Sequence, residues 1–444
     1  MSRSSQSTAD LRGETPERCL LVGVELRAGA AGAEAAFEYT AEESLQELAE
    51  LAEGAGAEVL GATTQIREKA DPATLVGSGK VDELKAWASE VGADLILFDQ
   101  PLSPSQQRNL ERLFDCRVLD RTQLILDIFA RHARTREGKL QVELAQLSYL
   151  LPRLTGRGAA MSRLGGGIGT RGPGETKLET DRRRISRRID KLEADLEKVR
   201  ATRELQRKKR TAVPLSTVAL AGYTNAGKST LFNALTDSVV LADKKMFATL
   251  DPTIRVLELP SRRRVLLSDT VGFIRNLPTT LVKAFRATLE EVVEAALILH
   301  VVDAASPHRR EQMGEVDRLL AELGAHEKPQ ILVLNKADLL GPAAAEAVLD
   351  AERTAGGRAA VAAISARERS GLDELRRLIE QCVPADPLKV CRFRFPHERG
   401  DLLSFLYENA RVLEREDGPE AVEVVAEATE SVRRRLEVYS EVVA

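Results

Sequence analysis

The chain has 444 residues, of which 43% are hydrophobic and 30% are charged, and its formal net charge is −4. This composition is typical of a globular protein, and the length is sufficient for about three domains. The overall charge gives no sign of a polyanionic partner, and no stretch approaches about 18 uninterrupted apolar residues, which argues against a membrane span.

The N-terminal segment, residues 1–17, is polar and lacks the apolar core of a signal peptide, so we expect a disordered arm there. Four cysteines are scattered along the chain, at Cys19, Cys116, Cys382 and Cys391. They show neither C-x-x-C spacing nor a histidine at metal-binding spacing. This pattern favours a reducing cytoplasm over disulfides or zinc.

Strand-like and helix-like segments alternate from residue 18 to residue 120. Apolar runs predict strands at 19–26, 57–66, 93–99 and 116–120. Helices are predicted between them, at 44–56, 79–92 and 103–114. The alternation predicts a small N-terminal α/β domain with a largely parallel sheet. Its stretch VGSGK lacks the full spacing of a phosphate loop and is interpreted as a turn before a helix.

Basic residues concentrate between Arg131 and Ala212, where 22 Lys and Arg oppose 10 Asp and Glu. We expect this segment to meet a phosphate backbone, although a solvated helical face would have the same composition. Apolar residues recur there at heptad spacing, first at Leu140, Leu144, Leu147, Leu151 and Leu154, and then at Leu178, Ile185, Ile189, Leu192, Leu196 and Val199. The spacing predicts two long helices, 121–154 and 177–210, paired as an antiparallel hairpin with a weak point at Gly138.

A glycine-rich stretch, SRLGGGIGTRGPGETK, joins these two helices and contains G-x-G-x-x-G. That fingerprint binds a dinucleotide only after a strand, and here a helix precedes it, so we interpret the stretch as the tip of the hairpin. Glycines allow close backbone approach and arginines offer forked donors, which favours RNA contact over a merely flexible linker. The candidate RNA contacts are Arg157, Arg163, Arg171, Lys177, Arg182, Arg183 and Arg184.

The stretch TVALAGYTNAGKST places G-x-x-x-x-G-K-S between an apolar strand and a helix. In this context the backbone N–H groups of the loop would wrap the β-phosphate of a nucleotide. Lys228 would bridge the β- and γ-phosphates, and the Ser229 hydroxyl would bind Mg²⁺. The predicted loop residues are Gly222, Tyr223, Thr224, Asn225, Ala226, Gly227, Lys228 and Ser229.

Three further motifs follow at predicted strand ends. RVLLSDTVG puts Asp269 at the second metal-linked position and the Gly272 amide towards the γ-phosphate, with Thr270 and Val271 between them. ILVLNKAD ends in Asn335, Lys336, Ala337 and Asp338. The Asp338 carboxylate can accept from both N1–H and N2–H of guanine, a donor pair that adenine lacks, which predicts strong guanine selectivity.

The remaining base contacts are predicted from the same pattern. Asn335 would brace the base and the loop, and the stem of Lys336 would cover the ring. After VAAISA, the last strand, the Ala366 amide would meet guanine O6, flanked by Ser365 and Arg367.

Between the first two motifs lies FATLDPT, which predicts a switch loop. A threonine here would reach Mg²⁺ and the γ-phosphate only in the triphosphate state, and Thr249 is preferred over Thr253. The nucleotide-binding residues assigned to this loop are Phe247, Ala248, Thr249, Leu250 and Asp251. Lys228, Thr249 and Gly272 are the candidate catalytic residues.

Phe273 follows Gly272, where many small GTPases carry the glutamine that orients the attacking water. A phenyl ring cannot orient water, so we expect slow intrinsic hydrolysis and a partner that supplies the missing group. A role for the nearby Arg275 is less favoured than that of a surface switch residue.

Together, GYTNAGKST, FATLDPT, DTVGFIRNLP, NKAD and GGGIGTRGPGETKLETDRRRI resemble the HflX family of GTPases, over residues 18 to 444. The resemblance implies an N-terminal α/β domain, a helical hairpin, a Ras-like P-loop G domain and a small C-terminal domain. It also implies GTP and GDP as ligands with Mg²⁺ at Ser229 and Thr249. It further implies binding to the large ribosomal subunit and its rRNA, with the hairpin tip towards the peptidyl transferase region, and the splitting of stalled ribosomes under stress.

We therefore expect a multidomain α/β protein with limits at 18–120, 121–212, 213–386 and 387–444. The last segment reads as βαββα, a small α+β domain that the resemblance also places on the ribosome. We expect a cytoplasmic monomer with no DNA partner and no integral membrane association.

Two alternatives stay open. Aromatic residues are only 4% of the chain, which favours recognition of RNA shape and phosphate over base stacking. A GTPase switch that binds structured RNA away from the ribosome would share these features. The hairpin could also be a dimerisation coiled coil, although its glycine-rich middle argues for a chain that folds back.

Overall fold

The computed structural model describes residues 16–26, 40–154, 173–210, 215–236, 253–275, 286–384 and 388–442. The chain divides into two compact units, residues 1–132 with 142–189, and residues 133–141 with 190–444. Three separate sheets carry the fold, which confirms the multidomain α/β prediction. The predicted limits between domains stay a proposal.

The first sheet is parallel, with strand order β2-β1-β3-β4. Its strands are β1 (Arg18–Leu26), β2 (Glu58–Arg67), β3 (Leu95–Phe98) and β4 (Arg117–Asp120), and its helices are α1 (Ala41–Gly54), α2 (Ser78–Val91) and α3 (Pro104–Phe114). Helices α1 and α3 each begin with a capping box, at Thr40 and Ser103, because these hydroxyls accept the N–H three residues later. The predicted N-terminal alternation is confirmed element by element.

A buried ionic cluster lies at the carboxyl edge of this sheet. Arg121, the first residue of α4 (Arg121–His132), is 2% exposed. Its guanidinium donates to Asp99 at 2.7 Å and to Glu47 at 2.5 Å, and Ser44 donates to the other Asp99 oxygen. The cluster therefore fixes the start of α4 to the end of β3 and to α1.

The first long helix predicted for 121–154 is broken. Helix α4 ends at His132 and α5 (Arg136–Leu150) begins four residues later, followed by a 3-10 turn at Leu151–Leu154. The Thr135 hydroxyl accepts the Gly138 N–H at 2.9 Å, so a new helix cap begins α5 just before the heptad pattern. The break thus precedes Gly138, the residue predicted to be the weak point.

The second long helix, α6 (Pro173–Arg210), begins four residues before the prediction, with proline at its first position as helix starts prefer. Arg188 of α6 donates twice to Glu143 of α5, at 2.7 Å each, which places the two helices side by side. The predicted stripe is buried on α6 at Leu192 and Leu196. On α5 the stripe leucines are half-buried, and the buried apolar side chains are those of Val142, Ala145 and Tyr149.

The second sheet has strand order β10-β9-β8-β5-β7-β6, parallel except for the edge pair β6–β7. Its strands are β5 (Thr217–Gly222), β6 (Thr253–Glu258), β7 (Arg264–Asp269), β8 (Leu297–Asp303), β9 (Gln330–Asn335) and β10 (Ala360–Ala363). The helices are α7 (Lys228–Thr236), α8 (Arg286–Glu294), α9 (Arg309–Glu322), α10 (Pro342–Ala355) and α11 (Leu372–Cys382). Because the parallel strands point the same way, the loops after β5, β7, β9 and β10 meet at one edge.

The third sheet is antiparallel, with order β12-β13-β11-β14. It consists of β11 (Leu388–Pro396), β12 (Arg411–Asp417), β13 (Ala421–Thr429) and β14 (Ser440–Val442), with α12 (Gly400–Asn409) and α13 (Glu430–Arg435). Phe393, Phe395 and Leu406 lie in its core. The βαββα prediction is confirmed with one correction, since the last helix ends at Arg435 and Ser440 begins a fourth strand.

Candidate nucleotide-binding site

The loop between β5 and α7 has a backbone conformation that requires glycine at two positions. A Cβ on Gly222 would overlap the Val301 carbonyl oxygen, and one on Gly227, where φ is +93°, would overlap the Asn335 amide nitrogen. Asn225 also has a positive φ, of 61°. The loop therefore packs against β8 and β9 without space for a side chain at either glycine, as the strand–loop–helix motif predicts.

Lys228, the first residue of α7, closes this loop and is buried. Its ammonium donates to the carbonyl oxygens of Gly222 at 3.0 Å and Tyr223 at 2.8 Å. Burial lowers the pKa of Lys228 from 10.5 to about 8, although the charge of Asp269 acts in the opposite direction. A phosphate near the ammonium would supply the negative charge that this buried cation lacks.

Ser229 and Asp269 come together beside Lys228. The Ser229 hydroxyl donates to Asp269 Oδ2 at 2.8 Å, which unites the end of β7 with the start of α7. A hydroxyl and a carboxylate side by side are oxygen ligands of the kind that Mg²⁺ prefers.

The predicted switch loop, Phe247, Ala248, Thr249, Leu250 and Asp251, lies outside the described residues. The assignment of the metal-linked and catalytic threonine to Thr249 stays a prediction. Thr253, the alternative, begins β6 and pairs with Asp269 across the antiparallel ladder.

The segment after β7 lies directly against the phosphate loop. Phe273 N–H donates to the Gly222 carbonyl at 3.1 Å, and Thr224 N–H donates to the Phe273 carbonyl at 2.7 Å. A Cβ on Gly272 would lie 2.8 Å from Thr224 Cγ2 and 3.1 Å from Lys228 Nζ. The Gly272 backbone is therefore held beside the lysine that is predicted to contact the γ-phosphate.

The Phe273 ring points away from this edge. It is 2% exposed and packs in a core cluster with Ala221, Leu289 and Val292. The ring thus belongs to the hydrophobic core, which agrees with the expectation that it orients no water.

Further hydrogen bonds fix the segment that follows β7. The Thr270 hydroxyl donates to the Leu220 carbonyl at 2.5 Å, and Val271 is buried. The Tyr223 hydroxyl accepts the Arg275 N–H at 3.1 Å. This contact between the tyrosine of the phosphate loop and Arg275 was not predicted.

Asn335 joins the phosphate loop to the loop after β10. Its amide nitrogen donates to the Ala226 carbonyl at 2.9 Å, and its amide oxygen accepts the Ala366 N–H at 3.0 Å. The bracing contact has the predicted form. The assignment of the Ala366 amide to guanine O6 stays a prediction; in this structure its N–H donates to the Asn335 amide oxygen.

Asp338 has an unpaired oxygen. Asp338 Oδ1 is buried and has no hydrogen-bond partner among the residues that the structure describes. A buried carboxylate oxygen without a donor is unfavourable, and the N–H groups of guanine would supply donors. Lys336 precedes it in the left-handed conformation, with φ of 61°, while Ala337 donates its N–H to Ile364.

Two arginines that the sequence did not single out reach the far end of α7. Arg369 donates to the Ala234 carbonyl at 3.4 Å and Arg376 to the Leu235 carbonyl at 3.2 Å. Arg369 follows the predicted base loop of Ser365, Ala366 and Arg367. Their cationic groups suit the carbonyl end of a helix, so the segment after β10 is attached to the C-terminal end of α7.

The candidate RNA contacts are described only in part. Arg182, Arg183 and Arg184 are exposed on α6. Arg157, Arg163 and Arg171 lie outside the described residues, as does the side chain of Lys177. Among the described helices, none is long and apolar enough to cross a membrane.

Comparison with known families gives three adjoining matches. Residues 42–130 match the family described as GTP-binding GTPase N-terminal, and residues 132–210 match the GTP-binding GTPase middle region. Residues 217–336, which hold the phosphate loop and Asn335, match the family described as 50S ribosome-binding GTPase.

Curated relatives match over most of their length. GTPase HflX of Caldanaerobacter subterraneus subsp. tengcongensis is 48% identical over 395 residues, which covers 89% of this chain and 90% of the relative. GTPase HflX of Escherichia coli K12 is 52% identical over 298 residues, covering 67% and 70%. The crystal structure of an SsGBP–GDP complex is 26% identical over 83% of this chain and 98% of that chain, with a TM-score of 0.47.

Proposed function

The chain belongs to the HflX family of GTPases, and on that premise we propose that it is a translation factor that binds the large ribosomal subunit and splits or rescues stalled ribosomes. It is a GTPase, which binds GTP and GDP. The observation that carries the proposal is the match of residues 217–336 to a 50S ribosome-binding GTPase family, in a chain that also carries a basic helix, α6.

The proposed catalytic arrangement follows from the described contacts. Lys228 would stabilise negative charge on the phosphates, and the Gly272 amide would donate to the γ-phosphate. Ser229 would hold Mg²⁺ with Asp269 behind it and Thr249 from the switch loop, and the metal would neutralise phosphate charge. Because Phe273 is buried in the core, the group that orients water would come from elsewhere.

The α6 arginines are proposed as the RNA contacts that link the ribosome to this site. Arg182, Arg183 and Arg184 are consecutive and exposed, so on one helix they fan over more than half of its circumference. Such a cluster suits the phosphates of a folded RNA surface, where no aromatic stacking is needed. We further propose a cytoplasmic monomer that acts under stress.

The test is GTP turnover measured alone and with purified large subunits, small subunits or bulk structured RNA. Stimulation by large subunits only, lost when the three arginines become glutamine, would support the proposal. The control variant changes Arg310 and Arg318, two exposed arginines of α9, to glutamine. Its GTP turnover should still be fully stimulated by large subunits.

Equal stimulation by every RNA would instead favour the structured-RNA switch. A parallel fall in basal turnover in the triple variant would show that α6 supports the G domain rather than RNA binding. Sedimentation at several concentrations tests the monomer against the dimeric coiled coil.

A further inference from the structure

Strand β8 ends on a carboxylate beside the predicted base site. Asp303 lies next to Asn335 in the parallel register of β8 and β9, and the Ala304 N–H donates to the Asn335 carbonyl at 2.8 Å. Asp303 Oδ1 accepts the Ala305 N–H at 3.0 Å. The side chain is therefore oriented by its own loop, which leaves the second oxygen for another donor.

That donor is Lys336. Its ammonium lies 2.7 Å from Asp303 Oδ2, and both side chains are about three-quarters buried, at 27% and 21% exposed. The left-handed backbone of Lys336 turns the side chain back towards β8. The ion pair thus fixes the two ends of the alkyl stem that is predicted to cover the guanine ring.

The pairing has a second effect, on Asp338. Lys336 is only two residues from Asp338, whose Oδ1 is buried without a donor among the described residues. An ammonium that was not held elsewhere would be attracted to that oxygen. With its charge directed to Asp303, Lys336 leaves the Asp338 carboxylate free to accept from the base.

We infer that Asp303 is a positioning residue for guanine recognition, which holds the Lys336 ammonium away from Asp338 and its stem over the base. The inference rests on the proposed roles of Lys336 and Asp338. It does not depend on ribosome binding. The carboxylate acts through the lysine and need not contact the nucleotide.

The test compares the Kd of GDP with that of inosine diphosphate, which lacks the 2-amino group. In Asp303→Asn the side chain keeps its size and still accepts the Ala305 N–H, but the ion pair is lost. The released lysine would then compete for Asp338. We expect GDP to bind about tenfold more weakly and inosine diphosphate to lose less, so that their ratio falls.

A double-variant cycle separates positioning from a general structural effect. In a Lys336→Met background the stem remains but the ammonium is gone, so adding Asp303→Asn should not change the ratio further. The matched control is Asp317→Asn, which breaks the 2.6 Å ion pair with Arg358 in the same domain and should leave both affinities unchanged.

Three results would overturn the inference: unchanged GDP affinity in Asp303→Asn, equal losses for both nucleotides, or additive effects in the double variant. If the unsubstituted protein did not prefer GDP to inosine diphosphate, the assignment of Asp338 itself would fail. All of these measurements are made without ribosomes, so the ribosome assay succeeds or fails separately.

Discussion

The Ser229 hydroxyl and the Asp269 carboxylate lie 2.8 Å apart, although 40 residues separate them in the chain. The contact joins the first helical turn after the phosphate loop to the end of β7. A hydrogen bond within the protein therefore holds the two proposed metal-linked groups together.

Lys228 should take up a proton when nucleotide binds. Its folded pKa of about 8 lies below the ordinary 10.5, so about half of the ammonium groups are neutral at pH 8 in the free protein. Phosphate favours the charged form, and GDP affinity should therefore fall as pH rises through 8. Calorimetry in buffers of different ionisation enthalpy should show proton uptake on binding that is larger at pH 8 than at pH 7. Equal proton uptake at pH 7 and pH 8 would contradict the lowered pKa of Lys228.

Gly272→Ala should impair hydrolysis. The added methyl would lie 2.8 Å from Thr224 Cγ2, so the Gly272 backbone must shift away from the phosphate loop. We expect GTP turnover to fall about tenfold or more, because the donor to the γ-phosphate is displaced. Gly314→Ala on α9 is the control, since nothing lies within 4 Å of its added methyl. If GTP turnover by Gly272→Ala equalled that of Gly314→Ala, a role for the Gly272 amide would be excluded.

Asp338→Asn should relax the preference for guanine. Its amide nitrogen would face the N1–H and N2–H donors of guanine, whereas xanthine offers an oxygen at position 2. GDP affinity should fall by about tenfold or more, while xanthosine diphosphate binds more tightly than before. Competition binding of the two nucleotides measures the ratio, and an unaltered ratio would refute the base contact.

Phe273→Gln should not create a faster GTPase. The ring is buried among core residues, so glutamine would leave a cavity and an unpaired amide there. We expect a loss of about 3 kcal/mol in the free energy of unfolding and no gain in basal turnover. Phe273→Leu keeps the site apolar and should be milder. Faster basal turnover with unchanged thermal stability would show that position 273 can reach the nucleotide.

His300→Leu should make the protein less sensitive to acid. Burial lowers the pKa of His300 from 6.5 to about 3, and the charges of Arg358 and Lys228 act in the same direction. Between these values the unfolded chain binds a proton that the folded chain excludes. The contribution of neutral His300 to the free energy of unfolding is therefore fully present above pH 6.5. It falls on acidification by at most about 1.4 kcal/mol per pH unit. Urea unfolding between pH 6.5 and 4.5 should show a shallower slope for the variant, and identical slopes would contradict this.

The convergence of the nucleotide motifs at one sheet edge could be predicted because each motif is local. Glycine spacing and apolar strands indicate where each loop begins, and parallel strand order then brings Lys228, Asp269 and Asn335 to one edge. Even the bracing role of Asn335 could be predicted, since a buried amide must use both its donor and its acceptor.

What the sequence could not indicate depends on contacts between distant segments. The cap at Thr135 competes with a continuous helix, and only packing decides between one helix and two. The donor for Asp303 and the acceptor for the Ala366 N–H are set by the register of neighbouring strands. The apolar face of α5 follows the surface it meets, so Tyr149 is buried where the heptad pattern favoured leucines.

The buried Arg121 has a mechanical consequence. Its guanidinium joins α4 to Asp99 and Glu47, and removing one partner of a buried ion pair costs about 3–5 kcal/mol. These ion pairs therefore oppose any separation of α4 from the first sheet. A change in the position of α4 would be coupled, through Arg121, to the end of β3 and to α1.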